Sequence, residues 1–333
     1  MTLVRAALAA ILVALAGCAA QPSSVAAPSS IGPLLGPMFC DDVYERTMED
    51  RAAELVEAGK TRTAADLEGQ LTRESCHATL PALRRGTQPL DMVYEHSVPG
   101  VLALASVAKC SGCGRFHPKS TATAFVVTAD GVCASNYHVF KHSADDQHVI
   151  AFDSEGRGYP VTEILAASHP DDAAVFRIDL GGRTLIPIPL NPGGRVGSAI
   201  SIISHPENNH FVLSCGIICR RGAKFGGMNG DIDDLRPPKH DTRPTGELHN
   251  PTDAEKLTAI LEVSCEYGIG SSGGPVLDNE GNAIGMVSNT RTIYASPKAK
   301  KDPQMVIRTC VPAESIIKLM MGSKDAPKPD DKP

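Results

Sequence analysis

The stretch Gly270-Ser271-Ser272-Gly273-Gly274-Pro275 decides how this chain is read. Glycines on both sides of a serine pair let the backbone take positive-φ turns and come close to a ligand. Two backbone N–H groups can then converge on one point while a serine hydroxyl faces it. Acyl transfer requires that arrangement, a nucleophile beside preorganised donors for a developing oxyanion. On its own the string also describes a glycine-rich hairpin turn. A hydroxyl is a weak nucleophile until a base takes its proton and an acid orients the base, so the reading turns on whether those partners lie upstream.

Two segments supply them. Val132-Cys133-Ala134-Ser135-Asn136-Tyr137-His138-Val139 places a histidine just after a strand-like run. Asp171-Asp172-Ala173-Ala174-Val175-Phe176 places an acid immediately before another. The order histidine, aspartate, serine is that of two-barrel serine proteases, in which the first barrel carries base and acid and the second the nucleophile. The Gly273-Gly274 pair puts Ser272, rather than Ser271, at the elbow.

The texture of the chain agrees. After Pro99, short runs rich in Val, Ile, Ala and Thr alternate with turns: 124–128, 132–135, 149–152, 161–166 and 173–178, then 199–204, 211–219, 257–265, 275–277, 283–288 and 305–311. That regular spacing predicts an all-β sandwich or barrel, closed by a short helix over 313–321. Ala129-Asp130-Gly131 is a hairpin turn signal. The polar stretch between Gly222 and Lys256 is a long loop, and no internal repeat is visible.

The N-terminal third differs. Residues 1–18 read as an export signal: Arg5, an apolar run from Ala6 to Ala16, then Leu15-Ala16-Gly17-Cys18. Those last four resemble a bacterial lipobox, which implies lipid on Cys18 and, with Ala19 following it, retention in the outer membrane on the periplasmic side. Residues 19–38, rich in Pro, Ser, Ala and Gly, read as a flexible tether. Over 39–98, Val43, Met48, Ala52, Leu55 and Val56 fall at helical spacing, Thr63-Ala64-Ala65-Asp66 resembles a capping box, and Leu67, Leu71, Ala78 and Leu83 continue the pattern. This predicts an α-hairpin ahead of a barrel domain over 99–322, with a loose tail over 323–333. A formal net charge of −6 gives no electrostatic reason to invoke nucleic acid.

The motifs together resemble trypsin-like serine peptidases of the HtrA/Deg branch. The matching segments are Thr123-Ala124-Phe125-Val126-Val127 with Asp130-Gly131, Ser135-Asn136-Tyr137-His138-Val139, Asp172-Ala173-Ala174-Val175, and Gly270 through Leu277. The resemblance implies a chymotrypsin-like fold of two six-stranded Greek-key β-barrels. It implies a serine endopeptidase acting on peptides or unfolded proteins without a cofactor or metal. His138 would be the base, Asp172 its orienting acid, Ser272 the nucleophile, and the N–H groups of Gly270 and Ser272 the oxyanion donors. Asp172 is preferred to Asp171 because its distance from the Ala-Val strand matches the family. Glu266, six residues before Ser272, would stand at the floor of a pocket for Lys or Arg. The branch carries a PDZ module, for which the stretch after Ser272 leaves too little chain. A catalytically inactive trypsin-like scaffold binding peptides or envelope partners is the alternative.

Cysteines add a framework. Ten are present, and setting Cys18 aside leaves an odd number. In an exported chain, Cys40 with Cys76 could staple the open end of the α-hairpin. Cys110-Ser111-Gly112-Cys113 with His117 suits a disulfide, a redox pair or zinc; export favours the disulfide, and zinc lacks an identified fourth ligand. Cys215 and Cys219 lie ~13 Å apart on a regular strand and would need a bulge to pair. Cys133, in an apolar run, is the expected free thiol. The remaining histidines carry no motif and read as surface residues.

Overall fold

A computed structural model describes residues 39–141, 146–230 and 257–321. Cys18, the 19–38 tether, most of the 222–256 loop and the tail therefore lie outside the described residues. Two barrels repeat one strand order. In the first, β1 (Val101–Lys109), β2 (Phe116–Val126), β3 (Val132–Ser135), β4 (His148–Phe152), β5 (Gly158–Ser168) and β6 (Ala173–Ile178) are joined as β1-β2-β3-β6-β5-β4, with β4 returning to β1. In the second, β7 (Ala199–Ser204), β8 (Val212–Lys224), β9 (Thr258–Val263), β10 (Pro275–Leu277), β11 (Ala283–Ser296) and β12 (Lys301–Pro312) follow β7-β8-β9-β12-β11-β10, and β10 returns to β7. Every pairing between named strands is antiparallel, and closure leaves neither barrel an open edge. The fold is the expected double barrel, and its repeat lies in topology rather than in sequence.

The first strand shows why pattern alone misses part of it. Leu102-Ala103-Leu104-Ala105 consists of helix formers, yet Val101–Ala108 is buried without interruption. Successive side chains of a strand point to opposite faces, and here both faces are covered. Leu102 and Leu104 enter the cluster of Val126, Val161 and Phe176. Val101, Ala103, Ala105 and Val107 enter a second cluster with Met48, Phe125, Met286 and Val311. The interior of the second barrel is Ile200, Ile202, Ile218, Leu261, Val276 and Ile284.

The N-terminal region is one long helix followed by two short ones with an extended arm between them, rather than an α-hairpin. Helix α1 (Asp41–Glu57) buries Tyr44, Met48 and Ala52 against the first barrel, and the Tyr44 hydroxyl donates to the Asp153 carbonyl at 2.8 Å. Truncating fully buried Met48 to alanine would cost about 2–5 kcal/mol. Thr63 does cap the next helix, accepting from Asp66 N–H at 3.1 Å, but α2 (Ala64–Glu68) lasts only five residues. The chain then runs extended until α3 (Leu90–Ser97). Its polar groups are met by distant elements instead of by an intrahelical ladder: Cys76 N–H donates to the Leu319 carbonyl at 2.8 Å, and Arg84 N–H to Asn282 Oδ1 at 2.8 Å. With no antiparallel partner for α1, the predicted Cys40–Cys76 staple has no hairpin to close. The second barrel ends in α4 (Ala313–Met321), which packs on β5, β6, β11 and β12. Among the described residues, no helix is long and apolar enough to cross a membrane.

Candidate active site

The three predicted residues come from three separate local structures. His138 lies on a single helical turn (Tyr137–Phe140) that follows β3. Asp172 precedes β6 in a turn closed by its own N–H to the His169 carbonyl at 3.1 Å. Its φ of 52° is the left-handed region, which aspartate tolerates better than most residues. Buried Asn136 holds that turn from behind, its amide donating to the Asp172 carbonyl at 2.9 Å. Ser272 sits between β9 and β10 in the second barrel.

The fold brings them into one hydrogen-bonded chain. Both Asp172 carboxylate oxygens lie 2.9 Å from His138 Nδ1, and Oδ1 also accepts the His138 backbone N–H at 3.1 Å. A carboxylate has no proton to give, so Nδ1 is the donor and Nε2 the acceptor. His138 Nε2 stands 3.1 Å from Ser272 Oγ. The hydroxyl also has the Ser288 carbonyl within reach at 3.2 Å, so rotation about its C–O bond delivers the proton to the imidazole. Asp172 is 1% exposed while the imidazole is 41% exposed, leaving the base open to a substrate. Asp171, the rival acid, is engaged elsewhere: Ser168 Oγ donates to it at 2.7 Å and Ser315 Oγ at 3.0 Å.

Ser271 and the glycines shape the elbow. Ser271 is buried and receives the Ser204 hydroxyl at 3.0 Å, so it faces the barrel interior rather than the cleft. Gly273 has φ 88°, and a Cβ there would lie 1.9 Å from the Thr123 carbonyl oxygen. Gly270 has φ 90°, and a Cβ would meet the His205 carbonyl at 2.3 Å. These positions need glycine for both conformation and space. The Ile269 carbonyl accepts Glu207 N–H at 2.8 Å. In a trans peptide C=O and N–H point opposite ways, so this bond turns the Gly270 N–H away from Glu207. Among the described residues, the N–H groups of Gly270 and Ser272 meet no acceptor, and both remain available to an anion.

Three further residues support this geometry. Ser288 Oγ donates to Asp172 Oδ2 at 2.6 Å from β11. Thr123 N–H donates to the Ser272 carbonyl at 2.7 Å, and Thr123 Oγ1 to the Gly270 carbonyl at 2.9 Å. Ser135 Oγ donates to the Thr123 carbonyl at 2.8 Å. Thr123 and Ser135 stand in segments that carry the resemblance, whereas Ser288 belongs to no motif. The only usable signal was the polar interruption Ser288-Asn289 after the apolar run 283–287. A cleft of about 500 Å³ opens beside Ser272 and His138, lined also by Leu104, Thr121, Val139, Lys141 and Ile269.

Other expectations change. Glu266 is not a pocket floor: its side chain is 81% exposed and paired with Arg308. The adjacent Tyr267 is half-buried and turned inward, its hydroxyl 3.0 Å from the Asn289 carbonyl and 3.1 Å from that of Thr309. Burial drives its phenol far above the usual range. No disulfide joins the nine described cysteines. Cys113 Sγ faces His117 Nε2 at 3.0 Å rather than bonding Cys110. Cys133 is buried, and its thiol is pushed well up by burial. His205 and His210 are buried, not surface residues; burial and the neighbouring His210 push His205 down to about 3.

Comparison with known proteins follows the same lines. Protease Do-like 5 from the Arabidopsis thaliana chloroplast is 26% identical over 183 residues, 52% of this chain and 49% of its own. The mitochondrial serine protease HTRA2 of Bos taurus is 26% identical over 194 residues, 58% of this chain and 37% of its own. The chain thus spans about half the length, or less, of these curated relatives. A solved HtrA-type protease with a tripeptide aligns over 69% of this chain and 62% of its own, at 19% identity and a TM-score of 0.48. The segment that carries His138, Asp172 and Ser272, residues 122–286, matches the trypsin-like peptidase domain family.

Proposed function

We propose that this chain is a serine endopeptidase in which Ser272 attacks the scissile carbonyl of a peptide substrate. The observation that carries the reading is the hydrogen-bonded chain Asp172–His138–Ser272 beside two backbone N–H groups that meet no acceptor among the described residues. Names of similar proteins, a protease and a serine protease, support the same class. His138 Nε2 takes the hydroxyl proton as Oγ bonds to the carbonyl carbon, and the imidazolium then gives that proton to the leaving amine. Asp172 stays ionised, holds the tautomer and stabilises the imidazolium. The N–H groups of Gly270 and Ser272 receive the oxyanion; removing one such donor typically costs ~10²–10³ in kcat. Water then hydrolyses the acyl-enzyme by the same proton path. No cofactor enters these steps.

The proposed setting is the periplasmic face of a bacterial outer membrane, with lipid on Cys18. The Leu15-Ala16-Gly17-Cys18 segment supports it. Metabolic labelling with a clickable fatty acid tests it: incorporation lost in Cys18→Ala fits, and equal incorporation in the variant overturns it.

Peptide-library hydrolysis tests the enzymatic reading. The wild type should cleave unstructured peptides and Ser272→Ala should not. Failure of the folded wild type to cleave any of them would favour a peptide-binding scaffold.

A further inference from the structure

The hairpin between β1 and β2 carries a cluster that the proposed catalysis does not use. Cys110, Cys113 and His117 hold their ligating atoms within 4.8 Å of one another. The turn is tight: Cys110 N–H donates to the Arg115 carbonyl at 2.8 Å, and Gly114 N–H to the Cys110 carbonyl at 2.9 Å. In a tetrahedral zinc site with Zn–S near 2.3 Å and Zn–N near 2.0–2.1 Å, ligand atoms stand ~3.5–3.8 Å apart. With all separations within 4.8 Å and Cys113 Sγ 3.0 Å from His117 Nε2, the cluster needs only small side-chain shifts to reach that size.

The deciding feature lies one shell out. His117 Nδ1 is 2.5 Å from Glu49 Oε1, on the barrel-facing helix α1. Glu49 is fixed in turn by Arg115 at 3.3 Å and is only 16% exposed. A carboxylate beside Nδ1 makes that nitrogen the donor and leaves the Nε2 lone pair directed at Cys113 Sγ, 3.0 Å away. This carboxylate–histidine relay is the arrangement that orients and strengthens a metal-bound imidazole. A disulfide would use the two sulfurs and leave the relay without a purpose.

We propose that Cys110, Cys113 and His117 bind one zinc ion, with Glu49 orienting the imidazole and a water or small anion completing the tetrahedron. Two thiolates and an imidazole select zinc over calcium or magnesium, which take oxygen ligands. Binding replaces the two thiol protons, which leave to solvent. The ion would close the β1–β2 hairpin, and Glu49, held to His117 and Arg115, joins that hairpin to α1.

The test uses the whole chain, reduced, stripped with a chelator and titrated with Zn²⁺ or Co²⁺ alone. The wild type should take up one equivalent, and the cobalt form should show thiolate-to-metal charge transfer with the intense visible bands of tetrahedral geometry. Cys113→Ser should lose that uptake, while Cys215→Ser/Cys219→Ser should keep it. Glu49→Gln, which leaves all three ligands in place, should weaken binding ~10–100-fold. The proposal is overturned if the reduced wild type binds no ion, if its cobalt spectrum lacks the thiolate band, or if Glu49→Gln binds as tightly as wild type. Uptake undiminished in Cys113→Ser overturns it equally.

Discussion

Replacing Asp172 with asparagine keeps the side chain's shape and removes its charge, and the surrounding donors dictate how the amide settles. At the Oδ1 position the His138 backbone N–H, 3.1 Å away, requires an acceptor, so the amide oxygen takes that place. The amide nitrogen then occupies the Oδ2 position. It donates to Ser288 Oγ, which stood at 2.6 Å as a donor and can turn to accept, and to His138 Nδ1 at 2.9 Å. Nδ1 becomes an acceptor, the ring proton moves to Nε2, and Nε2 faces Ser272 as a donor rather than a base. In the constellation that this site resembles, a change of that kind lowers kcat ~10⁴-fold. At 1.36 kcal/mol per decade that is about 5.4 kcal/mol of transition-state stabilisation. The assay is kcat and KM on an unstructured peptide, with a urea denaturation curve to establish that the variant is folded. KM should change little. A folded Asp172→Asn variant within about tenfold of wild-type kcat would refute the tautomer argument.

Four further outcomes follow from the same contacts. Gly273→Ala should abolish hydrolysis and destabilise the chain by at least about 2 kcal/mol in urea, because φ 88° and a backbone oxygen 1.9 Å from the new Cβ leave no room. Thr123→Val removes the donor to Gly270 and the acceptor for His205 N–H at 3.2 Å; it should cost about 1–3 kcal/mol in urea and lower kcat. Glu266→Gln should change kcat/KM for Lys- and Arg-containing peptides by less than about twofold, since its exposed carboxylate is already paired with Arg308. Stability should fall on acidification through His205, held down to about 3 by burial and then by His210. The unfolded chain, with an ordinary histidine near 6.5, takes up that proton first. Stability is therefore full above about pH 6.5 and is lost at up to ~1.4 kcal/mol per unit as pH falls toward 3. His205→Asn should flatten the urea midpoint between pH 7 and 4.

The strands from residue 124 onward and the three proposed catalytic residues were legible because their information is local. A strand followed by Asn-Tyr-His, an Asp-Asp turn before a strand, and a Gly-flanked serine each carry their meaning within eight residues. What stayed hidden is long-range. Ser288 meets Asp172 across the interface of the barrels, and the polar break at Ser288-Asn289 does not say which residue it will meet. Strand β1 is buried on both faces, so the alternation that marks a half-buried strand is absent. The stretch after Leu71 has helical spacing but spends its N–H groups on Leu319 and Asn282, contacts that only the folded barrels create. Glu266 failed as a pocket floor because six residues of loop fix a count and not a direction; its neighbour Tyr267 turned inward instead.

Reaction with a fluorophosphonate tests the central claim most directly, because the probe requires both an activated serine and a formed oxyanion site. The account predicts one adduct per chain, localised by mass spectrometry to Ser272, absent in Ser272→Ala and strongly slowed in Asp172→Asn. A folded wild-type chain that stays unlabelled under conditions where trypsin reacts fully, or that is labelled equally in Ser272→Ala, would contradict it.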